Sequence, residues 1–229
     1  MNKQKRIEIG AATLFITATV AYSIAVILFE PILTDSAYML KVHENKNVMT
    51  TAALLVLVDS VAVAAIGIVL YPVLKTHSES LALGYAGARM IECMLFVVNV
   101  IAMLSLVSLS QEYANLGSQS SPVYQSLGAV LMAAANWAYL FGLGLAFALS
   151  ALILNFLLYQ SRLIPRWLSA WGFIAALLVF VNFVLETCSI NPFEVLFFPI
   201  AIQEMVFAVW LIIRGFDLAA NSTVELGKA

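Results

Sequence analysis

The sequence is poor in charge, and this excludes several classes of function. Only 10% of its 229 residues are charged, whereas soluble domains carry about 25%. The formal net charge is -2, and the longest basic run is Lys3-Gln4-Lys5-Arg6. Nucleic-acid binding needs a positive surface for the phosphates. No nucleic-acid partner is therefore expected.

Groups that hold prosthetic groups or act as nucleophiles are also scarce. Both histidines, His43 and His77, fall in polar connections, so no apolar segment offers an imidazole for haem or a metal ion. No Ser-His or Cys-His pair lies at membrane depth. We expect no metal and no cofactor. The lack of these groups argues against an enzyme. The alternative is an intramembrane enzyme in which carboxylates act as the acid and the base.

The sequence has two cysteines, Cys93 and Cys188. They fall deep inside one predicted helix and at the end of another, so a disulfide between them would have to cross much of a bilayer. Both are predicted to be free thiols.

Apolar residues make up 63% of the chain, and they are grouped in stretches of the length that crosses a bilayer, about 20 residues. The predicted fold is an all-α, polytopic membrane protein with a six-helix bundle in a single domain, residues 1–229. The first stretch is too long for a cleaved signal and is predicted to stay as a span. The stretches cover residues 7–30, 48–74, 81–110, 122–160, 165–187 and 193–214.

The fourth stretch is longer than a bilayer requires. Ser121 is a good helix cap and Pro122 suits the first helical position, so we place the span at 137–160 and an outer extension at 122–136. The extension is expected either to pack on the outer end of the third helix or to lie on the membrane surface. Gly142 and Gly144 permit a bend below it.

The sixth stretch begins with a capping asparagine, Asn191, followed by Pro192 at the first helical position. Pro199 then falls inside the predicted span. A proline there removes a backbone hydrogen bond, so we expect a kink about one turn before Glu204.

The distribution of basic residues predicts the orientation. If each stretch crosses once, Lys41 and Lys46 lie on one side and most other basic residues on the opposite side. Both termini are then cytoplasmic, in a multi-pass protein of the cell membrane whose partner is the lipid bilayer. The basic residues of the predicted cytoplasmic side are Lys3, Lys5, Arg6, Lys75, Arg162, Arg166, Arg214 and Lys228.

Four ionisable residues fall within the spans: Asp59, Arg89, Glu92 and Glu204. A charge at mid-span costs roughly 2.5–3.5 kcal/mol, so such groups normally face the interior and pair with one another. We therefore expect helices two, three and six to meet at this level. The alternative for Arg89 is that its side chain reaches toward the headgroups.

Small and polar residues also recur along the third helix. Gly84, Ala88 and Glu92 are spaced by four, and Asn99 follows seven later. This predicts a packing face with a polar centre.

Three carboxylates and one guanidinium leave two uncompensated negative charges, so one or two carboxyls are expected to hold a proton near neutral pH. Such a cluster is either a relay or ligand site, or a structural ion pair beside neutral carboxylic acids. Four further polar residues either contact water at helix ends or line an outer vestibule leading to the cluster. These are Glu30, Asn136, Asn182 and Glu186.

From residue 70 onward, several motifs resemble a family of bacterial membrane proteins known as domain of unknown function 4386. The resemblance implies a helical integral membrane protein and supplies no catalytic residue. The motifs include Leu70-Tyr71-Pro72-Val73-Leu74-Lys75, Gly84-Tyr85 leading into Arg89 and Glu92, Asn136-Trp137-Ala138-Tyr139, Leu163-Ile164-Pro165-Arg166-Trp167-Leu168 and Pro199-Ile200-Ala201-Ile202-Gln203-Glu204.

Two functions follow from these observations. The first is a small transporter or ligand-binding protein whose carboxylates hold a proton or the cationic group of a small-molecule or ion ligand. The alternative is a non-catalytic structural, sensory or partner-subunit protein in which the cluster only fixes helix packing. The sequence sets no oligomeric state.

Overall fold

A computed structural model describes residues 3–115, 122–190 and 194–217, and all of its regular secondary structure in these ranges is helical. A π-helix, Leu140–Phe147, joins α5 to α6, and a 3-10 helix, Glu194–Phe197, precedes α8. The α-helices are α1 Lys3–Leu33, α2 Tyr38–Glu44, α3 Lys46–Leu74, α4 Glu79–Asn115, α5 Pro122–Tyr139, α6 Ala148–Ser161, α7 Arg166–Thr187 and α8 Phe198–Ile213.

Six helices in the described ranges are long and apolar enough to cross a membrane, which confirms the predicted fold class. Helices α1, α3, α4 and α7 each form one span. The fourth span is the continuous helix Pro122–Ser161, and the sixth is Val195–Ile213. The protein is therefore a multi-pass membrane protein. Its N-terminal helix and the end of α8 lie together at one end of the bundle, called here the terminal end; the opposite end is the distal end.

The extension of the fourth span packs on the third span rather than lying apart from it. Asn99 of α4 donates a hydrogen bond from Nδ2 to the carbonyl of Ala135 at 2.8 Å. Helix α5 begins at Pro122, as predicted, while the proposed cap Ser121 lies outside the described residues. The 40-residue helix is about 60 Å long, twice a bilayer core of about 30 Å.

The glycine pair of the fourth span lies in the π-helix, an irregularity often found at functional sites. A Cβ on Gly144 would be 2.7 Å from the Phe183 side chain of α7, and one on Gly142 would be 3.4 Å from Leu95 of α4. Gly144 therefore lets the widened turn approach α7 closely, whereas a Cβ at position 142 would make an ordinary van der Waals contact with α4.

The start of the sixth span differs from the prediction. Helix α8 begins at Phe198, so Pro199 lies in its first turn instead of inside the helix. A proline in a first turn removes no intrahelical hydrogen bond, because that N–H would have no partner there. The predicted kink inside the helix is wrong, and the irregularity is a change from 3-10 to α-helix at Phe197. Asn191 and Pro192 lie outside the described residues.

A hydrogen-bonded cluster around Glu8 joins the two ends of the described chain. The Glu8 side chain is buried, and its Oε1 accepts hydrogen bonds from the Phe216 N–H and from Gln4 Nε2, both at 2.9 Å. Lys5 Nζ donates to the carbonyl of Ile212 at 2.9 Å. These bonds hold α1 beside the end of α8, a contact that the sequence reading did not predict.

Only part of the predicted stripe lies on the packing face of α4, because Glu92 is buried and Asn99 bonds to α5 whereas Gly84 does not take part. Gly84 is exposed, and the buried positions follow a neighbouring line through Tyr85, Arg89, Glu92 and Phe96. The close approach to α4 is made by Gly67 of α3, where a Cβ would be 3.1 Å from Arg89 Cβ.

Replacing Gly172 by alanine is expected to lower the free energy of unfolding by about 1–3 kcal/mol, the usual effect of overpacking. The added Cβ would collide with the buried Asn155 amide, whose Oδ1 accepts a hydrogen bond from Gln203 at 3.4 Å. Gly84→Ala is the matched control, because its Cβ would meet only Ile153 at 3.6 Å. Denaturant unfolding in detergent measures the free energy of unfolding of both variants. Equal stability of the two would contradict the close contact between Gly172 and Asn155.

Candidate functional site

The centre of the candidate site is Arg89, which is only 2% exposed on α4. Its Nη1 donates to Glu92 Oε2 at 3.1 Å, and its Nη2 donates to Glu204 Oε1 of α8 at 3.3 Å. The side chain thus turns into the bundle and does not reach toward the headgroups. Arg89 links the third span to the sixth through a carboxylate–guanidinium–carboxylate bridge, in which Arg89 and Glu92 are buried and Glu204 is partly buried.

Aromatic side chains surround the guanidinium. Arg89 Nε donates to the Tyr85 hydroxyl at 3.4 Å. Arg89 Cζ lies 5.2 Å from the ring centroid of Phe147 and 5.7 Å from that of Phe15, distances at which a cation is attracted to a ring face. Tyr85 precedes Arg89 by one helical turn, so its position could have been predicted. Phe15 and Phe147 come from other spans, and no sequence signal pointed to them.

Asp59 of α3 is buried beside this bridge, at 5% exposure, and lines the same cavity as Arg89. Within the described ranges it takes part in no ion pair. The site therefore contains one guanidinium and three carboxyl groups, one of which is left without a cationic partner.

The prediction that helices two, three and six meet is only partly right. Arg89 of α4 does reach Glu204 of α8, but α3 and α8 do not pack on one another. Helix α1 packs on both, and its Phe15 lies edge-on to Phe207 of α8 at 5.5 Å. Small residues let membrane helices approach closely. Buried alanines of α1 explain how it packs against both α3 and α8: Ala11, Ala12, Ala18, Ala21 and Ala25.

A cavity of about 870 Å³ reaches all four ionisable residues of the cluster. This is within the range of about 300–1,000 Å³ that is typical of small-molecule sites. Its walls are mainly apolar and include Tyr22, Phe96 and Tyr139. Toward the distal end its lining includes the exposed residues Ile27 and Phe198, so the cavity opens between α1 and the start of α8.

The structure places only half of the predicted vestibule at this cavity. Glu30 and Asn136 line it, and so does Asn99 of the predicted cluster. Asn182 and Glu186 lie on α7 and do not line it. The rotation of α7 about its own axis could not be predicted from the sequence, and this helix presents both residues elsewhere.

Cys93 and Cys188 are free thiols, as predicted. Across residues 3–115, 122–190 and 194–217, no three His, Cys, Asp or Glu side chains are arranged to hold a metal ion.

The family model described as a domain of unknown function (DUF4386) matches residues 10–215. The chain belongs to this family. The match confirms the resemblance and extends it to the first two spans, where Glu30 and Asp59 lie. No curated protein and no solved structure matches the chain.

Proposed function

We propose that this DUF4386 protein binds a hydrophobic ammonium compound in the central cavity, as a small transporter or ligand-binding protein. The observation that carries the proposal is a cavity of about 870 Å³ that reaches three carboxyl groups and a single guanidinium. An apolar pocket with a few convergent polar groups is the usual form of a small-molecule site.

Charge balance favours a cationic ligand over an anionic one. Arg89 is already bonded to Glu92 and Glu204, so it has little capacity left for a ligand's anion. Asp59 has no such partner among the described residues. Because an unpaired carboxylate is costly at membrane depth, a proton or a ligand ammonium group is expected to occupy the space beside it.

The aromatic walls of the cavity also favour an organic cation. Tyr22 and Tyr139 are stacked with ring centroids 6.2 Å apart, and Phe96 lies edge-on to Tyr22 at 5.7 Å. All three line the cavity. Ring faces attract quaternary ammonium and similar cations, and the apolar surface receives the hydrophobic part of the ligand.

The test compares tetraphenylphosphonium with tetraphenylborate, which have similar shapes and opposite charges. Wild-type protein in detergent is expected to bind the cation at least about tenfold more tightly, and Asp59→Asn is expected to lose most of this preference, since one buried charge contact contributes about 1.4 kcal/mol or more. Isothermal titration calorimetry measures the dissociation constants of both ions. Glu186→Gln is the control, because Glu186 lies outside the cavity lining. Equal binding of the two ions by the wild-type protein would contradict the proposal. So would an Asp59→Asn variant that keeps the wild-type preference for the cation.

The second candidate is a non-catalytic structural, sensory or partner-subunit protein. What favours it is that the Arg89–Glu204 ion pair at 3.3 Å joins two spans directly. This candidate is supported if neither ion binds and replacing Arg89 unfolds the protein. If the cation binds, uptake of a membrane-impermeant quaternary ammonium compound into proteoliposomes under a proton gradient, compared with protein-free liposomes, separates a transporter from a binding protein.

A further inference from the structure

A second cavity lies at the terminal end, away from the central site. It has a volume of about 850 Å³ and lies between the connection from α6 to α7 and the end of α8. Three arginines line it: Arg162, Arg166 and Arg214. We call it the arginine pocket. The only carboxylate among its described lining residues is Asp217.

The backbone of this pocket is held in place by burial and hydrogen bonding. Leu163 and Ile164 of the connection are buried, at 1% and 2% exposure. The Asp217 N–H donates to the Leu163 carbonyl at 2.9 Å, which joins the chain after α8 to the connection. The arginines are thus carried on a fixed wall rather than on a free loop.

The arginine side chains are exposed, yet two of them occupy constrained positions. The Arg166 guanidinium lies over the Tyr159 ring, with Cζ 5.1 Å from its centroid. Arg162 adopts a left-handed backbone conformation, with φ of 56°, at the end of α6. Glycine is the residue usually found there, because other residues are strained in this conformation. An arginine at this position places a guanidinium at the pocket despite that strain.

We propose that the arginine pocket binds the phosphodiester of an anionic phospholipid. Guanidinium groups form paired hydrogen bonds with phosphate oxygens, and three arginines against one carboxylate leave an excess of two positive charges. The pocket lies where three spans end, and the ends of membrane spans are where a bilayer's headgroups are expected. Trp210 adds an aromatic wall suited to the interface. Basic pockets between helix ends are a known form of lipid-headgroup site.

The test is native mass spectrometry of the full-length protein in detergent, titrated with phosphatidylglycerol, phosphatidylcholine or inorganic phosphate. We expect wild-type protein to retain phosphatidylglycerol in preference to phosphatidylcholine. Arg166→Gln and Arg214→Gln should each weaken phosphatidylglycerol binding about fivefold, the effect of one basic residue near a charged lipid surface. Lys75→Gln, which removes an exposed cation at the same end but outside the pocket, should leave binding unchanged.

Three outcomes would overturn the assignment. Equal retention of the two lipids by wild-type protein would show that charge does not select the ligand, and this comparison needs no variant to fold. If Lys75→Gln weakened phosphatidylglycerol binding as much as the arginine variants do, the lipid would be held by general attraction to positive charge at this end of the protein. Displacement of phosphatidylglycerol by millimolar inorganic phosphate would identify free phosphate as the ligand.

Discussion

Replacing Arg89 by methionine is expected to lower the free energy of unfolding by about 3–5 kcal/mol, the usual effect of removing one partner from a buried ionic network. Without the guanidinium, the buried Glu92 and the partly buried Glu204 would lose their only ion-pair partner among the described residues. Tyr85 would also lose the hydrogen bond from Nε. Equilibrium unfolding by sodium dodecyl sulfate in mixed micelles, followed by circular dichroism, measures the change.

Neutralising the two carboxyl groups as well separates a charge effect from a packing effect. The triple variant Arg89→Met/Glu92→Gln/Glu204→Gln should recover much of the lost stability, because neither former partner of Arg89 then carries a charge. Lys75→Gln is the exposed control and should change stability by no more than about 0.5 kcal/mol. A cost below about 1 kcal/mol for Arg89→Met would mean that the bridge does not hold α4 and α8 together.

The number of spans could be predicted from the sequence because the thickness of a bilayer sets a minimum length for each apolar segment that crosses it. About 20 apolar residues are needed to cross it, and polar connections such as those around Lys75 and Arg162 separate the runs. The buried cluster could be predicted for a related reason. A charge at mid-span is costly, so Arg89 and Glu92 had to find partners inside the bundle.

Neighbour relations between the spans could not be predicted in the same way. The order of six helices depends on all of their packing faces together, and the packing of α1 against both α3 and α8 follows from alanines that look unremarkable in the sequence. The prediction for Gly84 failed because small residues also occur at exposed helix positions, so their spacing alone does not identify the packing face. Glu8 lies near the start of the chain, where a carboxylate is normally solvated, and only the folded chain places the Phe216 N–H against it.

The connections contain structure that composition alone did not show. Residues 34–47 looked like a polar loop, yet they include α2, whose Met39 and Val42 are buried. A seven-residue helix is too short to give a clear periodic signal. Its formation depends on an apolar surface to pack against, and residues of α4 supply that surface: Val100, Met103, Leu106 and Val107.

The Glu8 cluster leads to the second large expected effect, a loss of about 2–4 kcal/mol when Gly215 is replaced by alanine. Gly215 has a φ of 74°, a conformation that strains other residues by about 1–3 kcal/mol. A Cβ there would also lie 2.5 Å from Glu8 Oε2, so the buried carboxylate would have to move from the Phe216 N–H, an overpacking cost of similar size.

Gly87→Ala is the matched control for this substitution. Gly87 lies inside α4, and a Cβ there would meet nothing within 4 Å. Because alanine is the better helix former, Gly87→Ala should raise stability by up to about 1 kcal/mol. Thermal unfolding of both variants in one detergent gives the comparison. If Gly215→Ala were as stable as Gly87→Ala, the described contact between the end of α8 and Glu8 of α1 could not be present in the folded protein.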